Sequence, residues 1–209
     1  MTITISRLLP WTLLTTVGLA GGITAAVLLG KPIQAIVGMM LVAPIVTSVV
    51  GVVLGTTQRM YLRSLLVRPN LWVLATALGT GIGLTLGVVV VEQGGRVMTG
   101  HRVHLTQLGA VDRALSFCVV GLVSGFCLGL AQYIVIRHQR ILVKKWIPTT
   151  AVGLGLAFGL SSLIVDLALG GIRSAQGLAG FVLLAGLMFG AATATRIVRT
   201  MPPEVASAS

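Results

Sequence analysis

Acidic side chains are nearly missing from this chain. Four Asp and Glu stand against fifteen Lys and Arg in 209 residues, and charged residues together make up 9%. A water-soluble domain carries charge on about a quarter of its residues, because its surface must be hydrated. This chain has no such surface. The shortage also leaves no paired carboxylates at a spacing that would point to acid–base chemistry, and no ionisable group deep in an apolar run for an ion or proton path. Cysteine is equally scarce. Cys118 and Cys127 lie nine residues apart on one predicted helix, on nearly opposite faces, which excludes a bridge between them. Neither a metal-ligand spacing nor a Ser–His–Asp set is present. The expectation is a non-enzymatic protein without a metal or cofactor of its own, although the sequence leaves pigment or quinone binding open.

What the chain has instead is apolar length. Hydrophobic residues make up 56% and the mean hydropathy is +1.02. Charges divide it into six spans: Leu8–Gly30, Pro32–Gln58, Pro69–Val91, Ala114–Ile136, Trp146–Val165 and Ser174–Thr195. Each approaches the roughly 20 residues that carry a helix across about 30 Å of hydrocarbon. Without water, only helices or a closed barrel satisfy their backbone groups, and the alternation of barrel strands is absent. The fold class expected is all-α and polytopic, one domain of six transmembrane helices. The first span is longer than the apolar core of a signal peptide, and it shares marks with later helices, so it reads as a permanent helix.

The basic residues set an orientation. One set of helix ends carries Arg7, Arg59, Arg63, Arg68, Arg137, Arg140, Lys144, Lys145, Arg196 and Arg199. The other carries Lys31, Arg96, Arg102, Arg113 and Arg173. The positive-inside rule then predicts both termini in the cytoplasm. The net charge of +11 lies in short loops at helix ends. It therefore points to anionic lipid headgroups rather than nucleic acid.

An internal repeat runs through these spans. The three tryptophans each open an odd-numbered span: Trp11 with Thr15 and Gly18, Trp72 with Thr76 and Gly79, Trp146 with Thr150 and Gly153. Even-numbered spans carry Gly51 and Gly55, Gly125 and Gly129, Gly186 and Gly190, and both sets of marks have one step of 61 residues and one of 74. Gln58 and Gln132 also correspond, with Thr193 at the third position. The expected arrangement is three hairpins inserted in one direction about a pseudo-threefold axis along the membrane normal. Their bounds are 8–58, 69–136 and 146–199, with an outer loop at 92–113 and a flexible tail at 200–209.

The run Gly-x3-Gly-x2-Gln, then Leu/Ile-Arg, then Trp-Val/Ile and Thr-x2-Gly resembles a family of uncharacterised bacterial membrane proteins of cyanobacterial and Chloroflexi type. The resemblance covers Gly51–Gly83 and Gly125–Gly159. Where that family often has Trp directly after the Gln, this chain has Arg59 and Tyr133. The resemblance implies a bacterial membrane protein and carries no activity.

Candidate residues follow from the marks. Gly51, Gly55, Gly79, Gly83, Gly121, Gly125, Gly129, Gly186 and Gly190 are expected to let helix backbones approach closely. Trp11, Trp72 and Trp146, each following a basic residue, are expected as interfacial anchors. Gln58 and Gln132, with Arg63 and Arg137, form an inner-face polar set, the amides as clamps and the guanidinium groups as candidates for lipid phosphate. Lys31, Glu92 and Asp166 occupy equivalent outer ends and are expected to meet in an ionic cluster. His101 and His104 read as part of a solvated outer loop. The functional expectation is a membrane subunit or scaffold that packs with other membrane proteins and lipids, an accessory of a photosynthetic or respiratory assembly. The alternatives are a small transporter or channel for a neutral solute and a lipid-headgroup sensor.

Overall fold

In the computed structural model the chain is a set of long helices. Residues 5–37, 39–63, 65–99, 108–137, 145–172 and 174–200 are described. The helices are α1 (Ile5–Val37), α2 (Met39–Leu62), α3 (Pro69–Thr99), α4 (Ala110–Arg137), α5 (Trp146–Leu169) and α6 (Ala175–Thr200). All six are long and apolar enough to cross a membrane. Half or less of each span is buried within the protein, so every helix turns one face inward and leaves another, rich in Leu, Val and Ile, facing out. Outward hydroxyls are satisfied locally. Thr24 donates to the Ala20 carbonyl and Thr56 to the Val52 carbonyl, one turn back, which is how a hydroxyl avoids an unmet donor in an apolar medium.

Each helix packs against its neighbours in sequence, and α6 closes on α1 to complete a ring. Neighbours run antiparallel. On α2, Leu54 lies beside Gly18 and Val50 beside Gly22; on α4, Leu128 lies beside Gly79 and Ser124 beside Gly83. The beginning of α1 and the end of α6 therefore share one end of the ring with Trp11, Trp72 and Trp146.

Glycine sets the spacing. A methyl group on Gly51 would stand 2.6 Å from Ala77 Cα, on Gly125 2.7 Å from Ala151 Cα, and on Gly186 2.8 Å from Thr16 Cα. One turn further, Gly55, Gly129 and Gly190 meet the Cα atoms of Val73, Ile147 and Thr12 at 3.0–3.1 Å. Gly79, Gly83 and Gly121 abut Leu128, Ser124 and Gly155 at 2.7–2.8 Å. Below 3.0 Å a real Cβ does not fit, and at 3.0–3.1 Å the neighbouring backbone would have to give way. The backbones touch, and dispersion between them replaces what lipid would otherwise supply.

Several boundaries differ from the sequence expectation. The charge at Lys31 sets the expected end of the first span at Gly30 and the start of the second at Pro32. In the structure α1 continues through all three to Val37. Pro32 removes one backbone bond without stopping a helix whose next residues are again apolar, as transmembrane helices tolerate. Helices α3 and α4 also reach into the expected outer loop, to Thr99 and from Ala110. His101 and His104 lie outside the described residues, as does the tail from residue 201.

Candidate functional site

The feature that stands out is polar and lies inside the ring. Trp11, Trp72 and Trp146 are 0–1% exposed. The indole of Trp72 donates from Nε1 to Gln58 Oε1 at 3.2 Å, and that of Trp146 to Gln132 Oε1 at 3.2 Å. The indole of Trp11 donates to Thr193 Oγ1 at 2.9 Å. Each bond crosses from an odd-numbered helix to an even-numbered one, and the last ties α1 to α6.

The amides continue the chain of bonds. Gln58 Nε2 donates to Thr15 Oγ1 at 3.3 Å, and Gln132 Nε2 to Thr76 Oγ1 at 3.0 Å. Gln132 also reaches Gln58 Oε1 in a longer 3.5 Å contact. The hydroxyls pass their own protons to carbonyls: Thr76 to Trp72, Thr150 to Trp146, Thr193 to Phe189. Gln58, Gln132 and Thr193 are each 1% exposed.

Apolar layers cover this network on both sides. One turn before Gln58, Gln132 and Thr193 stand Leu54, Leu128 and Phe189, all buried. One turn after stand Leu62, Ile136 and Ile197, equally buried, the three sharing a cluster with the tryptophans. The Trp72 and Trp146 rings meet at 6.1 Å, while Trp11 packs edge-on to Tyr61 at 5.8 Å. Toward the opposite end the ring centre encloses about 20 Å³, lined by Leu54, Thr80, Leu128 and Phe189 among others. That is room for about one water. Indole, amide and hydroxyl groups carry no charge at any ordinary pH, so the network can hold helices together but has no group suited to proton transfer.

No family model, curated protein or solved structure matches this chain.

The tryptophans are not interfacial anchors. An anchor presents its ring to the headgroup region, whereas these are enclosed by neighbouring helices. The physical reason is the partner: a buried indole N–H needs an acceptor, and Gln58, Gln132 and Thr193 supply it from inside. Gln58 and Gln132, expected as clamps, are buried and bond to both neighbouring helices. Arg63 and Arg137 do lie exposed at that end.

The expected outer cluster does not form either. Asp166 pairs with Arg113 at 2.8 Å, both side chains largely buried, and Arg113 also donates to the Leu108 carbonyl at 2.6 Å. Lys31 and Glu92 stand exposed. Asp166 sits where α5 ends in a left-handed turn at Gly170 and Gly171, and Gly171 N–H donates back to the Val165 carbonyl. Arg113, in the first turn of α4, thus ties the end of α5 to the start of α4. Sequence reasoning missed Arg113 because its nearest signal, a lone cation opposite a lone acid 53 residues away, has no periodicity. It also treated Thr15, Thr76 and Thr193 as marks of the repeat and not as hydrogen-bond partners. The recurrence of Gln fourteen residues before Trp was the available signal. Among the described residues no three His, Cys, Asp or Glu side chains gather as metal ligands do.

Proposed function

We propose that this chain is a non-enzymatic integral membrane subunit, a closed ring of three repeated hairpins that acts through its outer surface. The observation that carries the reading is the enclosed Trp–Gln–Thr network. Its polar groups satisfy one another, apolar layers cover it above and below, and the cavity at the ring centre has room for about one water. What the protein offers to others is its outside: an apolar belt with a basic rim. A pseudo-threefold axis along the membrane normal is supported by the glycines, which meet equivalent Cα atoms at all three junctions, including the closing one.

The setting we infer is a bacterial inner or thylakoid membrane with both termini on the cytoplasmic side, where the basic rim faces anionic headgroups. Its partners are membrane lipids and other membrane proteins, in the manner of an accessory subunit of a respiratory or photosynthetic complex. The bacterial setting also follows the resemblance carried by the Gly-x3-Gly-x2-Gln motif.

Purification from the native membrane in a mild detergent tests this. A membrane protein recovered in fixed proportion with the chain is the expected result, and recovery as a lone monomer would refute it. Reproducible uptake of a neutral solute by proteoliposomes containing the chain alone would replace it with transport.

A further inference from the structure

A furrow of about 660 Å³ opens on the outer surface between α3 and α4. Ala75 and Ala131 form its floor, and the larger side chains of Leu71, Leu74, Leu78 and Ile134 rise beside them. Arg68, exposed in the turn just before α3, stands at its mouth. Gly79 and Gly83 hold the two helices together beneath, so the small floor residues leave a channel along the seam.

Its dimensions fit one kind of occupant. From Arg68 to Leu78 the furrow follows ten residues of helix, about 15 Å. That is half of a hydrocarbon layer about 30 Å thick, the depth of one leaflet. Its wall is apolar and its mouth cationic. The protein's own described acids, Glu92, Asp112 and Asp166, all belong to the opposite end, so none neutralises Arg68. A guanidinium matches phosphate oxygens with two parallel donors.

The combination belongs to one hairpin. Counting from the tryptophans, the first hairpin has Arg7 but carries Leu14 and Thr57 where Ala75 and Ala131 stand. The third has Ala192 but carries Thr149, and Leu142 in place of the arginine. We propose that the α3–α4 furrow binds one anionic phospholipid, with its phosphate on Arg68 and an acyl chain along Leu71, Leu74 and Leu78. This rests on the chain spanning a membrane, and not on which protein partner the ring has.

Native mass spectrometry of the detergent-purified protein tests it, using dioleoyl phosphatidylglycerol and, separately, dioleoyl phosphatidylcholine. The anionic lipid should bind about fivefold more tightly, the worth of one arginine near a charged headgroup. Arg68→Gln should bring the two lipids to parity, while Arg59→Gln, at the same end but outside the furrow, should preserve the preference. Leu74→Trp, an exposed position whose larger ring fills the channel, should weaken both lipids without changing the melting temperature. Glycerol 3-phosphate, a headgroup without a chain, should not compete. Equal binding of the two lipids to the wild type would overturn the proposal. So would an equal effect of Arg59→Gln, full binding by Leu74→Trp, or displacement by glycerol 3-phosphate. Co-purification of a partner protein is a separate readout, so failure here is distinguishable from failure of the subunit reading.

Discussion

Two corners of the ring carry glutamine and the third carries threonine. At Gln58 and Gln132 the amide accepts from a tryptophan on one neighbour and donates to a threonine on the other, so each locks three helices. At Thr193 only the tryptophan bond remains, and Thr150 turns back to the carbonyls of its own helix. The contacts of the glycine pairs Gly51 and Gly55, Gly125 and Gly129, Gly186 and Gly190, by contrast, are the same at all three corners. At those pairs close packing repeats, whereas Gly153 meets only side chains where Gly18 and Gly79 meet Cα atoms, and the hydrogen bonds differ as well. The ring is thus held by its glycines, and the amides add specificity to a seam that already closes. Volume is compensated as well: the corner with the smaller Thr193 has the larger Phe189 where the others have Leu54 and Leu128.

This contrast can be broken in order of expected effect. Gly125→Leu forces a side chain into the backbone of α5 near Thr150 and Ala151. It should cost more than about 3 kcal/mol, the upper range of overpacking. Thermal unfolding in detergent measures this against Gly94→Leu, where a side chain meets open space. An equal melting temperature for both would show that close approach does not hold the ring.

Gln132→Leu comes next. It leaves the Trp146 indole without an acceptor and removes the bonds to Thr76 and Gln58. An orphaned buried donor costs about 1–3 kcal/mol, and each lost amide bond in a membrane about 0.6 more. A total near 3 kcal/mol is expected, with Trp146 fluorescence shifted. A loss under about 0.5 kcal/mol would show that the network adds nothing to the packing.

At the opposite end, Asp166→Ala should cost about 2 kcal/mol, less than a fully buried pair because the contact is single-ended and lies near the helix ends. Glu92→Ala, exposed and outside the pair, should change little. If the two variants melt alike, the Arg113–Asp166 bond does not fasten α4 to α5.

The smallest effect is a gain. In a Phe189→Leu background, Thr193→Gln recreates the geometry of the other two corners and should recover about 0.6 kcal/mol. Further destabilisation would mean that the third corner departs from the other two in backbone as well as in side chain.

How much of this was legible beforehand differs by residue. The spans were readable because hydrocarbon demands continuous apolar length, and charge interrupts it. The glycine marks were readable because a close approach needs the same residue wherever it recurs. The tryptophans were misread because a basic residue before an aromatic fits the rim of a membrane as well as the core of a ring, and one strand of sequence does not say which way a ring faces. The Lys31 boundary was misplaced because one charge need not end a span: α1 runs on through it to Val37 with the lysine exposed.

Composition and spacing by themselves determined that this chain is six long apolar helices with basic residues gathered at one set of ends, since solvent choice and helix length are local properties. Only the tertiary structure decided that α6 closes on α1, that the indoles point at amides, that Arg113 is the partner of Asp166, and that two alanines leave a furrow beneath Arg68. Each of those depends on which faces meet across the ring, and facing is a property of distant segments brought together.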